Sequence, residues 1–290
     1  MEIVIWGTGV RGKRAKKLCD KTGRKVRAFT DNEPSHWGRE IENIPIVSPE
    51  ELAEKHSEKI QIWIATGAAE VLGQAKEICE NVIEWELVKC MLLAIGYPYP
   101  KVQLKYNNIA RCQLVENREE FLKRFSHEAN NWKMAEIGVF NGDFSEQILK
   151  MCNPRKLYLI DLWGSGYEEK YLKVKEKFVN ESESGTVEIL RGLSTERLKE
   201  FDDGELDWVY IDTVHDYETT KMELELCDKK IVKGGYLCGH DYTKHDVYCR
   251  TDYGVYDAVN EFAVSYNYEF VYLTAEWHGL QSFALKRIGE

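Results

Sequence analysis

The chain has 290 residues, which is long enough for two domains of ordinary size. Hydrophobic residues make up 43% and charged residues 30%, a globular balance that excludes a wholly disordered chain. The net charge of −10 argues against a nucleic-acid partner, because phosphate backbones attract basic surfaces. No apolar run approaches the ~18 residues of a membrane span, and the N-terminal residues lack the basic start of a signal peptide. We therefore predict a soluble cytoplasmic protein without a membrane partner.

Two segments repeat one pattern: an apolar strand, a glycine turn, an amphipathic helix and a second strand that ends in Asp. They span residues 2–31 and 133–161. Strands that alternate with helices are typical of parallel sheets covered on both faces. The sequence therefore predicts the α/β class with two doubly wound domains. We place a small Rossmann-like domain at residues 1–90, a linker at 91–117 and a second domain at 118–290.

The first domain contains a dinucleotide-binding fingerprint. Gly7, Gly9 and Gly12 form a G-x-G-x-x-G turn between a strand and a basic helix, and Asp31 ends the next strand. This predicts a possible second nucleotide site. It leaves two alternative functions open, an NAD(P)-dependent oxidoreductase and a non-enzymatic nucleotide-binding protein. The segment is short for two nucleotide-binding halves, and no group suited to hydride transfer follows it.

The glycine turn of the second domain suits a different cofactor. Gly138 and Gly142 would let the backbone approach a ligand, and Asp161 would accept hydrogen bonds from two ribose hydroxyls. The turn lacks the pyrophosphate spacing, and Asp143 at the helix start would repel a phosphate. A cofactor with a ribose and no phosphate fits better, which favours S-adenosylmethionine. Because glycine turns and acids after strands also occur without ligands, this pair alone leaves a purely structural role open.

Two later strands end in carboxylates and imidazoles. Asp212 and His215 follow one strand, and His240 and Asp241 follow the next. Such a cluster can hold a divalent cation, with Mg or Mn as candidates, and an imidazole beside it can act as a general base. The structural alternatives are that His215 caps the following helix and that His240 is a core histidine.

The ordered set of motifs resembles class I S-adenosylmethionine-dependent methyltransferases, over about Trp132 to Arg287. Within these it is most similar to the branch of macrolide-sugar O-methyltransferases of the macrocin and mycinamicin type. The segments that carry the resemblance are Glu136–Ser145, 160–163, 209–217 and 233–242. The resemblance implies a bacterial enzyme that methylates a hydroxyl of a sugar or of a glycosylated small molecule. Homo-oligomerisation is left open.

The resemblance also assigns roles to individual residues. Asp161 would bind the ribose, and His215 would be the general base. Asp212 and Asp241 match metal ligands that hold a sugar diol, with Asp212 also catalytic. His240 completes the candidate metal set but departs from the family, which has a carboxylate there, so that magnesium, manganese, another metal or none remain open. The full predicted cofactor set is Glu136, Gly138, Asn141, Gly142, Ser145, Asp161, Leu162 and Ser194.

The first domain carries a resemblance of its own. The segment 30–46 resembles the small Rossmann-like domain found beside bacterial sugar-modifying transferases. In that setting the domain would bind a nucleotide-sugar or serve as a scaffold.

Overall fold

The computed structural model describes residues 2–56, 60–66, 69–94, 101–164, 166–246, 251–276 and 279–289. The chain divides into two compact units, Met1–Tyr99 and Pro100–Glu290. Among the described residues, no helix combines the length and hydropathy that crossing a bilayer requires.

The first unit is a small parallel sheet with helices on both faces. Its sheet runs in the order β3-β4-β2-β1-β5-β6, and only the short β3 is antiparallel to its neighbour. The elements are β1 (Glu2–Trp6), α1 (Val10–Lys21), β2 (Val26–Thr30), β3 (Glu40–Ile41), β4 (Ile44–Val47), α2 (Pro49–His56), β5 (Ile60–Ile64), α3 (Ala69–Ile78), β6 (Val82–Ile83) and α4 (Trp85–Ala94).

Two apolar clusters cover the sheet of the first unit. Leu18 of α1 and Val88 of α4 pack on one face, while Leu52 of α2 and Val71 of α3 pack on the other. Side chains of successive strand residues point to opposite faces, so a strand such as β1 needs apolar residues throughout. The predicted doubly wound arrangement is confirmed for this unit.

The second unit contains a larger sheet of eight strands. Its elements are α5 (Tyr106–Ile109), β7 (Gln113–Val115), α6 (Arg118–Lys123), β8 (Lys133–Ile137), α7 (Asp143–Cys152), β9 (Lys156–Asp161), α8 (Glu168–Lys177), α9 (Val179–Glu183), β10 (Val187–Arg191), α10 (Ser194–Arg197), β11 (Leu206–Ile211), α11 (Tyr217–Lys230), β12 (Ile231–Gly239), β13 (His245–Asp246), β14 (Thr251–Asp252), α12 (Val255–Ser265), β15 (Tyr268–Thr274) and β16 (Phe283–Arg287). The pair β13 and β14 forms a separate antiparallel hairpin.

The order of the large sheet is β10-β9-β8-β11-β12-β16-β15-β7. From β8 the chain runs outwards through β9 to β10, then returns to the other side of β8 as β11. This reversal makes a switch point between β8 and β11, and in open parallel sheets ligands bind beyond the carboxyl ends of the strands at such a point. Leu224 and Phe262 belong to the apolar cluster on one face of the sheet, and Phe121 and Ile148 to that on the other.

The segment assigned to a linker, residues 91–117, has a different structure. Helix α4 continues to Ala94, and residues 95–100 lie outside the described residues. Strand β7 then adds to the sheet edge parallel to β15, and the buried Asn108 donates to the backbone oxygens of Ala263 and Tyr268 at 3.2 and 2.7 Å. The partners of β7 and Asn108 lie more than 150 residues further along the chain. A strand of only three residues is also too short to show a periodic pattern, so the sequence did not predict β7.

Candidate active site

The switch point is built on a close approach of two loops. Gly138, directly after β8, has φ +91°, and a Cβ atom there would lie 1.8 Å from the carbonyl oxygen of Asp212. The Asp212 amide donates to the Ile137 oxygen at 2.7 Å, which holds the two loops together. Glycine is therefore required at position 138 for both its backbone conformation and its missing side chain.

Asp161, at the end of β9, binds the backbone of the glycine turn that follows β8. Its Oδ2 accepts the amide N–H groups of Val139 and Phe140, each at 2.8 Å, and its Oδ1 accepts that of Trp163 at 2.9 Å. A carboxylate offers about four lone-pair positions, so three amides leave roughly one for a ligand hydroxyl. This differs from the expectation of two ribose hydroxyls on Asp161, because the turn itself uses most of the carboxylate.

A cleft of about 660 Å³ opens at this edge of the sheet. That volume lies within the usual range for small-molecule sites. Its walls bring together Gly138, Asp161, Leu162, Ser194 and Asp212 among the predicted residues. Further lining residues are apolar side chains left unusually exposed on the surface: Phe140, Tyr167, Leu193, Val214 and Met222. Exposed apolar side chains grouped around a concave site are typical of a small-molecule binding site.

A buried acid, Glu223 of α11, forms part of the cleft wall and was missed in the sequence. Its two carboxyl oxygens bind the hydroxyls of Ser194 at 2.5 Å and Thr213 at 2.7 Å. Burial raises the pKa of Glu223 to about 7, although both hydroxyl contacts oppose the shift. Only its position on the inward face of an amphipathic helix could have signalled it, and many helix glutamates share that pattern.

Four of the predicted cofactor residues are not among those that line the cleft. Glu136 and Ser145 are buried and bonded to each other, and burial raises the pKa of Glu136 to about 8 against the effect of that bond. Asn141 accepts a hydrogen bond from Lys170 at 3.2 Å. Gly142 has φ +75° and begins α7, where a Cβ would lie 2.7 Å from the Phe178 ring. These four residues contact other parts of the protein next to the glycine turn that follows β8.

The ends of β11 and β12 bring the four predicted acceptor-side residues together. His215 Nε2 lies 2.7 Å from Asp241 Oδ2 and 3.7 Å from Asp212 Oδ1. His240 Nδ1 lies 3.1 Å from Asp241 Oδ1 and 3.7 Å from Asp212 Oδ2. Burial opposes the charge on Asp241, but both histidines hold the pKa of its carboxyl well below its usual range.

His215 is oriented as a base would be. A carboxylate only accepts, so the Nε2–H donates to Asp241 and the Nδ1 atom faces away from that contact. The ring packs on Tyr253 with centroids 4.3 Å apart. Asp216, not His215, caps α11 by accepting the Thr219 amide at 2.9 Å, which removes the helix-cap alternative. Burial opposes protonation, but the nearby carboxylates of Asp212 and Asp241 raise the pKa of His215 to about 9.

Arg118, the first residue of α6, is a second residue of the site that the sequence did not predict. Its guanidinium donates to Asp212 Oδ2 at 2.9 Å and, through Nε and Nη2, to the Tyr210 hydroxyl at 3.0 Å. It lies over the Phe144 ring at 4.3 Å. Burial opposes its charge, but Tyr210 and Asp212 raise the pKa of Arg118 above its ordinary value. Nothing near position 118 in the sequence indicates this contact.

The candidate metal ligands are close enough to share an ion, since ligand atoms of Asp212, His240 and Asp241 lie within 4.8 Å of one another. Their present partners do not fit a divalent cation. The Arg118 cation binds Asp212 Oδ2, and both Asp241 oxygens contact imidazoles. An imidazole bound to a metal through Nδ1 must place its Nε2–H on a partner, and the buried His240 Nε2 has none among the described residues.

In the first unit the glycine fingerprint has the expected backbone roles. Gly7 has φ +120°, and a Cβ on Gly12 would lie 2.0 Å from the Gly7 oxygen, so the helix packs tightly on the strand. Gly9 begins α1. Asp31 Oδ2 is occupied by the Thr8 hydroxyl at 2.6 Å and amide at 3.0 Å.

A cavity of about 300 Å³ adjoins this turn, and its lining includes Asp31, Glu33 and Glu70 but no cation among the described residues. Three acids beside the turn are unsuited to a pyrophosphate. The geometry therefore does not favour NAD(P), and nucleotide-sugar binding by this unit stays a prediction.

The second unit is thus an α/β cofactor-binding domain, with a glycine turn, a carboxylate and an apolar cleft at its switch point. Residues 135–242 match the model of a family described as a methyltransferase domain. The matched range runs from β8 to the residues just after β12, and so includes both sides of the site. The protein is an S-adenosylmethionine-dependent methyltransferase.

Several solved structures are similar to this chain. A methyltransferase from Aquifex aeolicus is 17% identical, with a TM-score of 0.44, over 59% of this chain and 89% of its own. Spermidine synthase from Thermotoga maritima is 16% identical, with a TM-score of 0.41, over 60% of each chain. Geranyl diphosphate methyltransferase is 8% identical, with a TM-score of 0.46, over 59% and 84%. Likeness at this level carries no argument about substrate. No curated protein is significantly similar to the chain.

Proposed function

We propose that the protein transfers a methyl group from S-adenosylmethionine to a hydroxyl of a sugar or of a glycosylated small molecule. The observation that carries the proposal is the position of Asp212. This residue lines the cofactor cleft and also lies 3.7 Å from His215, so the two halves of the site meet at one carboxylate. A methyl donor in the cleft and an acceptor hydroxyl near His215 would then be neighbours.

The cleft suits the cofactor in its shape and its polar groups. The remaining lone pair of Asp161 would accept one ribose hydroxyl. The exposed faces of Phe140, Leu162 and Leu193 would cover the adenine, with Ser194 near its edge. When bound, S-adenosylmethionine would supply a sulfonium methyl group, which passes in line to an acceptor oxygen while the carbon–sulfur bond breaks and S-adenosylhomocysteine leaves. The rigid glycine turn would fix where that methyl group lies relative to the acceptor.

On the acceptor side the protein must remove a hydroxyl proton. Asp241 fixes the imidazole of His215 through Nε2. Because the pKa of His215 is raised to about 9, only the neutral fraction of the ring would act as the base, taking the proton on Nδ1. Asp212 would orient the acceptor hydroxyl between the base and the cleft. Hydrogen-bonding groups of this kind suit an alcohol, and the sugar class comes from the sequence resemblance.

The test is a transfer assay with purified protein, labelled S-adenosylmethionine and a panel of sugars, nucleotide-sugars and glycosylated small molecules. Label should enter an oxygen-linked methyl group in at least one member. His215→Ala should abolish that transfer while S-adenosylhomocysteine still binds. Transfer to a nitrogen, carbon or sulfur acceptor alone would contradict the proposal.

A further inference from the structure

We infer that this methyltransferase works without a divalent cation at its acceptor site, and that Arg118 supplies the positive charge beside Asp212 instead. The inference rests on the proposed function only in calling this the acceptor site. Arg118, His215 and His240 make the contacts that support it. The Mn²⁺-binding test below requires no acceptor.

The guanidinium of Arg118 is held in place from several sides. The Tyr210 hydroxyl, which accepts from it, is itself bonded to the buried Ser282 hydroxyl at 2.8 Å. Phe144 closes one face of the guanidinium plane, at 4.3 Å from its centre. Arg118 therefore cannot leave Asp212 without also losing its contacts to Tyr210 and Phe144. An arginine stacked and bonded in this way is a fixed charge and not a mobile surface cation.

The contacts of Asp241, the second carboxylate, also disfavour a bound cation. Asp241 is 5% exposed, and its two oxygens face His215 and His240 at 2.7 and 3.1 Å. A cation between Asp212 and Asp241 would have to displace the imidazole contacts of Asp241. It would also lie close to the permanent positive charge of Arg118, and two positive charges repel strongly where they are partly shielded from water.

This arrangement assigns Arg118 a positioning role. It keeps Asp212 aligned by a charge-assisted hydrogen bond, and it balances one of the two carboxylates that would otherwise repel each other. The acceptor hydroxyl would then meet a fixed Asp212 oxygen without any ion.

The test measures Mn²⁺ binding by electron paramagnetic resonance, which detects the free ion, on wild type, Arg118→Met and Arg118→Lys. Wild type and Arg118→Lys should show no saturable Mn²⁺ binding, because both keep a cation at Asp212. Arg118→Met should bind one Mn²⁺ per chain, and a second change, Asp241→Asn, should remove that binding. Thermal melting checks that each variant is folded, and Arg118→Lys is the matched control for altered shape.

One Mn²⁺ per wild-type chain, lost in Asp241→Asn, would overturn the inference. Absence of binding in both wild type and a folded Arg118→Met would overturn it too, since the guanidinium would then not be what keeps the ion out. Where methyl transfer is detected, it should be unchanged by EDTA in the wild type. If S-adenosylhomocysteine fails to bind while the Mn²⁺ pattern is as expected, the proposed function fails and the inference about Arg118 stands.

Discussion

Replacement of Gly138 with alanine tests whether the switch point depends on the close approach of two loops. The added Cβ would lie 1.8 Å from the Asp212 oxygen, whereas carbon–oxygen contacts are normally about 3.3 Å or more, so the loops must separate by roughly 1.5 Å. A left-handed conformation costs a residue other than glycine about 1–2 kcal/mol, and overpacking adds about 1–3 kcal/mol. We expect Gly138→Ala to lower the free energy of unfolding by about 2–5 kcal/mol.

Gly204→Ala is the matched control. Gly204 also has a positive φ, +68°, but a Cβ there meets nothing within 4 Å, and the residue precedes β11 at the end away from Asp212. Only the conformational cost, about 1–2 kcal/mol, should appear in this variant.

Two measurements on both variants decide the matter: urea unfolding and calorimetric titration with S-adenosylhomocysteine. Gly138→Ala should weaken binding by about tenfold or more, since a shift of about 1 Å in a site can cost far more than that in rate. Gly204→Ala should bind as the wild type does. If the two variants match in stability and affinity, the two loops do not define the cofactor site, and the assignment of the switch point is wrong.

Three further predictions concern single side chains. Asp161→Asn should weaken S-adenosylhomocysteine binding by about tenfold or more in calorimetry, because a side-chain amide cannot accept all the amide N–H groups that the carboxylate accepts; Asp143→Asn, an exposed acid at the same turn, should not. His215→Ala should lower kcat by about 10²–10⁴-fold with unchanged cofactor affinity, while the exposed His127→Ala should leave kcat unchanged; equal rates for the two would exclude the base role. The pKa of Glu223, raised from 4.5 to about 7 by burial, should make wild-type stability decrease as the pH rises through that range, by about 3 kcal/mol, since the unfolded chain ionises first. Urea unfolding across this range should show a shallower decrease for Glu223→Gln, and an identical pH profile would contradict the buried acid.

Much of the fold follows from local patterns. Buried strands such as β8 and β11 are rich in apolar residues, and the glycine turn and Asp161 mark where a strand ends and a loop begins. The parallel topology then brings the carboxyl ends of neighbouring strands to one edge, so the grouping of Asp212 with His240 and Asp241 is predictable without a structure. The cofactor side of the site shows the limit, because sequence position does not tell that Glu136 and Ser145 face each other in the core.

Residues brought in from distant elements could not be predicted. Arg118 reaches Asp212 from the start of α6, and Glu223 reaches Ser194 from the middle of α11, and neither has a distinctive neighbour in sequence. Strand β7 is recognised only by its partner β15, since a short edge strand acquires its hydrogen bonds from the sheet and has little pattern of its own. The missed features are therefore those that tertiary contacts create.

The most direct test of the central claim is calorimetric titration of wild type and Asp161→Ala with S-adenosylhomocysteine, NAD and NADP. The account predicts that S-adenosylhomocysteine binds wild type at one site per chain, that Asp161→Ala weakens this binding, and that neither nicotinamide cofactor binds. Binding of NAD or NADP without binding of S-adenosylhomocysteine would contradict the account and move the function to the glycine turn of the first unit.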